Sequence, residues 1–592
     1  MMTPGLSGFI ADGGDPQVRD DPQAWEGTAA AVLEALAAEF EVVPERRTAA
    51  AAGDPRTTWL DTFDWRLHKA GLTLEYVPLR GGGELRLSGP AGPAGDGGGD
   101  VGAERGAAGA ERGAGPGDAA DQVTTQLVTG RPPSRPHPAA SLPAGPVSAR
   151  VAGLIAPRAL VPVVTVAAPT AVYRLLNSDR KTVARLVVSR PTVIGSPRSV
   201  PLPPRLAVTE VRGYQGEARR AVRLISAVPG IRAAAEPLFA AALRALGRRP
   251  GDYSNKVGAQ ITAAMPAAAA AAAILLRLLD TIEANVVGVL ADTDTEFLHD
   301  LRVGARRTRS ALKLFGDALT GLTAEELAFF AAEFKWVGDL TTPVRDLDVH
   351  LLGFEETARA LAAAKPDDLE PFRAYLEQRR RKEFRLLARG LRSARFAALT
   401  QEWRARLSEI QREHAPAARG TALRSGHPRK AAGGTAGLLA AERTRVSFSK
   451  VARRGAAITA DSPAESLHDL RKRCKELRYA LEFFAPLHDR AASANAVGDL
   501  KRLQDCLGDF QDTEIQIGEN TAIAAAMLAA GEAPAVTLLA MGEITAGLAA
   551  RQRAARADFE RRFAAFAGRD GQRRMSALLL GRYRTSADIR GV

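Results

Sequence analysis

His299-Asp300-Leu301-Arg302-Val303-Gly304-Ala305-Arg306-Arg307-Thr308-Arg309-Ser310-Ala311-Leu312-Lys313-Leu314-Phe315 is answered, 169 residues later, by His468-Asp469-Leu470-Arg471-Lys472-Arg473-Cys474-Lys475-Glu476-Leu477-Arg478-Tyr479-Ala480-Leu481-Glu482-Phe483-Phe484. His, Asp, Leu, Arg, a second and a third basic residue, Ala, Leu and Phe recur in place. On a helical wheel at about 100° per residue, Arg302, Arg306 and Arg309 fall within about 80° of His299. Leu298, Leu301, Leu312 and Phe315 take the adjoining face. His468, Arg471, Lys475 and Arg478 repeat the arrangement. Each copy is therefore an amphipathic helix with a basic stripe beside an apolar one. Like charges about 5–6 Å apart along a helix repel one another, so folding gives little reason to stack them. A linear anion bearing many charges offsets that repulsion, and the planar fork of arginine suits phosphate. The plainer reading, a solvated charged face, fits one such helix better than it fits two in register.

A second repeated element follows each basic helix. Val344-Arg345-Asp346-Leu347-Asp348-Val349 aligns with Phe510-Gln511-Asp512-Thr513-Glu514-Ile515 at an offset of 166. Its acids are read as balancing and orienting the basic rows, or capping a helix, rather than as catalytic. His299 and Asp300 point about 100° apart on a helix, so they do not chelate one metal ion.

Outward from the repeat, helical periodicity runs from about 260 to 570 and predicts about ten to twelve helices. A Gly/Ala/Arg/Pro stretch at 414–437 divides the region into repeat one (260–413) and repeat two (438–570). The alanine-rich stretch 261–279 is interrupted by Pro266 and closed by Arg277, and reads as a soluble helix rather than a membrane span. Residues 31–255 read as β-rich, with strands near 57–60, 72–77, 84–87, 161–166, 172–176, 184–188 and 206–212, a hairpin turn at Gly81-Gly82-Gly83, and a helix near 217–227. Three segments are expected to be disordered or tail-like: 1–30, the Gly/Ala/Pro-rich insertion 89–148, and 571–592.

The chain has 592 residues, enough for two or more domains, and a formal net charge of +13, which favours a polyanionic partner without naming it. Aromatic residues make up only 5%, which argues against base-stacking platforms. Two cysteines, Cys474 and Cys506, support neither a disulfide framework nor a Cys-rich zinc site and fit a reducing cytoplasm. No signal peptide is expected from the first residues.

The repeated His-Asp-Leu-Arg-x-x-x-Arg/Lys-x-x-Arg helices, with Arg345-Asp346-Leu347-Asp348-Val349 and Leu507-Gly508-Asp509-Phe510-Gln511-Asp512, resemble the CHAD family, the conserved histidine α-helical domain. The resemblance spans about 260–567 and implies two antiparallel four-helix bundles with a basic surface that binds inorganic polyphosphate, in the cytoplasm and at polyphosphate granules. Carried over by position, it implies His299, Arg302, Arg306, Arg309, His468, Arg471, Lys475 and Arg478 as ligands. Lys313, which stands where the repeat has Glu482, extends the set.

The segment Trp59-Leu60-Asp61-Thr62-Phe63-Asp64-Trp65-Arg66-Leu67-His68-Lys69-Ala70-Gly71-Leu72-Thr73-Leu74 looks like part of a CYTH domain, the triphosphate tunnel fold that often precedes CHAD. Active CYTH enzymes carry a Glu-x-Glu-x-Lys strand. Here Glu39-Phe40-Glu41-Val42-Val43 has valine at the lysine place, and few other acids follow in later strands, Glu210 being the suggestive one. Strand alternation would set Glu39 and Glu41 on one face as a weak metal pair. The expected fold is therefore α+β multidomain: a degenerate CYTH-like tunnel or barrel, then the helical domain. The expected function is polyphosphate binding without turnover and without a cofactor. The alternatives are a hydrolase needing a divalent metal such as Mg²⁺, and nonspecific nucleic-acid binding. No membrane partner is expected.

Overall fold

The computed structural model describes residues 6–11, 22–45, 56–79, 81–90, 122–129, 136–195, 198–414, 434–488 and 490–580. The chain divides into two compact units, Met1–Ser254 and Asn255–Val592.

The first unit runs β1 (Leu6–Ala11), α1 (Pro22–Ala37), β2 (Glu41–Pro44), β3 (Arg56–Thr62), the one-turn α2 (Arg66–Lys69), β4 (Thr73–Leu79), β5 (Gly82–Gly89), β6 (Gln122–Thr129), β7 (His137–Pro138), α3 (Pro146–Ile155), β8 (Ala159–Ala167), β9 (Thr170–Leu176), β10 (Thr182–Ser189), β11 (Thr192–Ile194), β12 (Val200–Pro201), β13 (Arg205–Glu210), α4 (Gln215–Ser226), β14 (Ile231–Ala233) and α5 (Leu238–Ala245). The strands form two antiparallel sheets, ordered β14-β1-β13-β10-β9-β2 and β12-β11-β8-β3-β4-β5-β6, with β7 paired to β8. The β4–β5 hairpin turns at Gly81, whose φ of +79° favours a residue without Cβ. Pro162, which lacks an N–H, faces Leu60 where the β3–β8 register shifts. Helices α1 and α4 bury Val32, Leu36, Ala218, Ala221 and Ile225 against Leu175, Leu186 and Val208 of the first sheet. Helix α3 buries Val147, Val151 and Ile155 against Leu74, Tyr76 and Leu87 of the second.

Several expectations are corrected here. The tunnel or barrel is replaced by two open sheets. Among the described residues no strand hydrogen-bonds from one sheet to the other, and closure requires that continuous ladder. The expected insertion 89–148 contains β6, which pairs along the whole of β5, and the start of α3. Buried Gln126 ties these together, its Oε1 accepting the Val147 and Ser148 backbone N–H groups at 3.0 and 3.1 Å. Residues 91–121 lie outside the described residues. The expected disordered start contains β1 and the beginning of α1, and the expected tail begins inside a helix that buries Met575 and Leu578 in a core. The first two of these segments are rich in Gly, Ala and Pro, so their few apolar anchors give little periodic signal.

The second unit is helical: α6 (Ala267–Leu290), α7 (Thr295–Phe315), α8 (Ala324–Leu352), α9 (Phe354–Arg359), α10 (Glu370–Leu391), α11 (Ala394–Glu413), α12 (Ala436–Ala456), α13 (Ala464–Phe483), α14 (Arg490–Ala529), α15 (Ala535–Ala567) and α16 (Arg569–Leu580). The alanine run is the buried start of α6, and no described helix is long and apolar enough to cross a membrane. Among the described residues, α11 starts after a break at Ser393, whose side chain caps it, and α16 starts after Gly568. The first helices of the two halves are tied at their N-termini, where Ala267 N–H donates to the Gly434 carbonyl and Ala436 N–H to that of Met265. One apolar core is shared between halves: Leu347, Phe354, Phe372 and Leu376 pack with Ile523, Met527 and Met541.

Candidate functional site: the basic seam between α7 and α13

Asp294 starts α7 by accepting the Glu296 and Phe297 N–H groups at 3.0 and 3.3 Å. Phe297, Leu298, Leu301, Ala305, Thr308, Ala311 and Phe315 form its buried face. In α13 the buried set is Leu467, Leu470, Cys474, Leu477, Tyr479, Ala480, Leu481 and Phe483. The two helices meet each other: the Phe315 ring lies 5.7 Å from each of the Phe483 and Phe484 rings.

Their basic stripes meet along the same seam. Arg302 is half-buried and donates to the Gly338 carbonyl at 3.2 Å and to Thr342 Oγ1 on α8. In the second half Arg471 donates to Gln511 Oε1 at 2.9 Å and pairs with Asp512 at 3.0 Å on α14. Thr342 and Gln511 are themselves 169 residues apart, so the hydrogen bonds follow the basic-helix offset and not the 166 of the acidic motif. Arg306 is exposed and crosses the seam, its Nε donating to Tyr479 Oη at 2.9 Å. Lys475 lies half-buried among cations. Burial first, then Arg471, Arg306 and Arg478, push its ammonium down to about 8. Among the described residues, the side chains of Arg309 and Lys475 make no hydrogen bond or ion pair. Arg478 is shared between Glu482 at 2.8 Å and Gln504 at 3.2 Å.

The histidines sit at the start of the stripes. His468 Nε2 lies 2.7 Å from Glu514 Oε2, close but not aligned as a hydrogen bond. His299 is half-buried at the same place in α7. Where the second half has Glu514, the first has Arg345, which donates to the Thr295 carbonyl at 3.3 Å at the N-terminus of α7. Arg345 was legible only as part of the acidic motif, with no periodic signal linking it to the stripe.

Lys313 is placed differently from the other predicted ligands. Its ammonium reaches Glu476 at 2.5 Å, and Arg307 reaches Glu482 at 2.7 Å. The position of Arg307 in one repeat is that of Glu476 in the other, and Lys313 corresponds to Glu482. The two ion pairs are thus related by the internal two-fold, and their charges are reversed between halves. Lys313 belongs to the joint between repeats.

The acids of the second motif hold the scaffold. Asp348, 1% exposed at its side chain, receives Arg380 at 2.6 Å, and the same guanidinium pairs with Asp292 at 2.7 Å. Burial raises the Asp346 carboxyl above its usual range, against the opposing pull of Arg302. The expected carboxylate pair of the first unit does not assemble. Glu39 lies in the turn after α1 and pairs with Arg220, while Glu41 opens β2 and pairs with Arg180 at 2.9 Å. Because Glu39 precedes the strand, strand alternation does not apply to it. Asp61, at the end of β3, is 3% exposed and accepts the N–H groups of Thr62, Leu67 and His68 at 2.7, 2.9 and 2.9 Å, which fixes α2. Among the described residues no group of three His, Cys, Asp or Glu is placed to hold a metal ion.

Comparison with known proteins bears on the helical unit. Residues 273–520 match the model of the CHAD domain. The chain is similar to the crystal structure of the CHAD domain from the plant Ricinus communis, at 25% identity over 56% of this chain and 99% of that one, with a TM-score of 0.44. It is also similar to PptA from Streptomyces chartreusis, at 18% identity over 50% of this chain and 99% of that one, with a TM-score of 0.35. No curated protein matched the chain. The residues that match the CHAD domain model, 273–520, run from α6 into α14 and take in both basic helices.

Proposed function

We propose that this protein binds inorganic polyphosphate along the seam, with Arg302, Arg306, Arg309, Arg471, Lys475 and Arg478 contacting the phosphates and His299 and His468 at the ends of the stripes. The observation that carries the reading is Lys475: an ammonium half-buried among three guanidiniums, its pKa pushed down to about 8, with no ion pair of its own. That arrangement is costly without an anion and favourable with one. The CHAD match supports the same partner.

The test uses two double variants of the full chain, Arg302→Ala with Arg306→Ala, and Arg471→Ala with Lys475→Ala. Each lost charged hydrogen bond should cost about 1–3 kcal/mol. A long chain that engages both stripes gains from effective concentration, so either variant should lose more affinity for long polyphosphate than for tripolyphosphate. Both should flatten the salt dependence of binding. Circular dichroism shows whether the helices survive. Folded variants that bind long polyphosphate like the parent, with an unchanged salt slope, would sink the reading.

A further inference from the structure

Helix α10 carries a set of cations outside the seam. Arg379, Lys382, Arg385, Arg389 and, at its C-cap, Arg392 are all exposed. Steps of three and four residues place them within about 140° of arc and along about 20 Å of helix. Their neighbours are paired, Arg380 with Asp348 and Asp292, and Arg381 with Glu377 at 3.6 Å. Among the described residues, none of the five side chains has an ion pair or hydrogen bond.

The second half shows that packing does not demand this ridge. Helix α15 follows α14 as α10 follows α8 and α9, and buries Ala555 and Phe559 where α10 buries Leu387 and Leu391, an offset of 168. At that offset the five ridge positions are Gly547, Ala550, Arg553, Ala557 and Glu560, which sum to no net charge. Five like charges in a row repel, and the sibling helix is built without them.

We infer that the α10 ridge is a second polyphosphate-binding surface, separate from the seam, so that one molecule grips a long chain twice or bridges two chains. The inference rests on the polyphosphate reading of the seam. Charge complementarity selects an anionic polymer. Polyphosphate is the occupant because a long chain held at the seam supplies its own free ends to the ridge at high effective concentration.

The test is Lys382→Ala with Arg385→Ala and Arg389→Ala in the full chain, beside the parent and the Arg302→Ala, Arg306→Ala variant. All three ridge residues are exposed, and thermal melting shows whether the fold survives. The ridge variant should bind tripolyphosphate within about twofold of the parent and long polyphosphate about tenfold more weakly, with its log–log salt slope shallower by about 2, near 0.7 per contact removed. An unchanged long-chain affinity and slope overturn the ridge. So does a loss seen only with single-stranded DNA of equal charge, which would assign the ridge to nucleic acid. If the seam variant loses polyphosphate and the ridge variant does not, the ridge alone falls. A parent that binds no polyphosphate overturns both.

Discussion

Lys475 is the side chain on which the chemistry of the seam turns. Its ordinary pKa of 10.5 falls to about 8 in the folded chain, chiefly through burial and then through Arg471, Arg306 and Arg478, with Asp512 opposing. Between those values the unfolded chain holds a proton that the folded chain has released. This group's contribution to stability therefore rises with pH through that window and is least below about 8. A bound polyanion restores the charge. Binding above pH 8 should take up a proton, and affinity should fall as pH rises further. Lys475→Met removes the buried charge. It should raise stability at pH 7 by about 1 kcal/mol, once solvent screening is allowed for, while weakening polyphosphate binding and flattening its pH dependence. Calorimetry in buffers of differing ionisation enthalpy checks this. Equal proton uptake in parent and variant would assign the titration elsewhere.

Among the elements, the joint between α7 and α13 is specified by charge as well as by the Phe315–Phe483–Phe484 contact. The first repeat presents Arg307 and Lys313, and the second presents Glu476 and Glu482 at the same places. Two copies of one repeat would set like charges together, so the pattern favours pairing of unlike halves. Arg307 and Glu482 are 13% and 23% exposed at their side chains, so the pair is screened less than a surface bridge. Arg307→Glu and Glu482→Arg should each destabilise the helical unit by about 1–3 kcal/mol, and the double swap should recover much of that loss, measured as coupling in urea unfolding. Additive losses would show that the two residues do not interact. The departures from the repeat at Lys313 and Glu482 are visible in the sequence. Their meaning is not, because a helical wheel shows which face a charge is on and not what faces it.

Across the whole molecule the net charge of +13 understates how selectively cations are left uncompensated. Arg380, Arg395, Arg404 and Arg406 each satisfy carboxylates within the helical unit, whereas Lys475, Arg309 and the α10 ridge do not. The first unit distributes its acids differently from a metal site, with Glu39 and Glu41 taken by different arginines. Tripolyphosphate incubated with the full chain and Mg²⁺ or Mn²⁺ should release no phosphate above background. Turnover that disappears in Glu39→Gln or Glu41→Gln would establish the hydrolase instead.

By itself the sequence determined the helical repeat, the faces of α7 and α13, the β-rich character of the first unit and the hairpin at Gly81. Each is a local pattern, a period of 3.6 or 2 or a glycine in a turn, and local patterns survive in one dimension. Only the tertiary structure decided that β6 and α3 belong to a sheet and its core, since β6 is fixed by its ladder with β5 and by Gln126 rather than by its own composition. Only the tertiary structure turned Lys313 into half of an ion pair, parted Glu39 from Glu41, and left the two sheets open. Those outcomes depend on which residues from distant parts of the chain come within hydrogen-bonding or ion-pairing distance, and spacing along the chain carries no record of that.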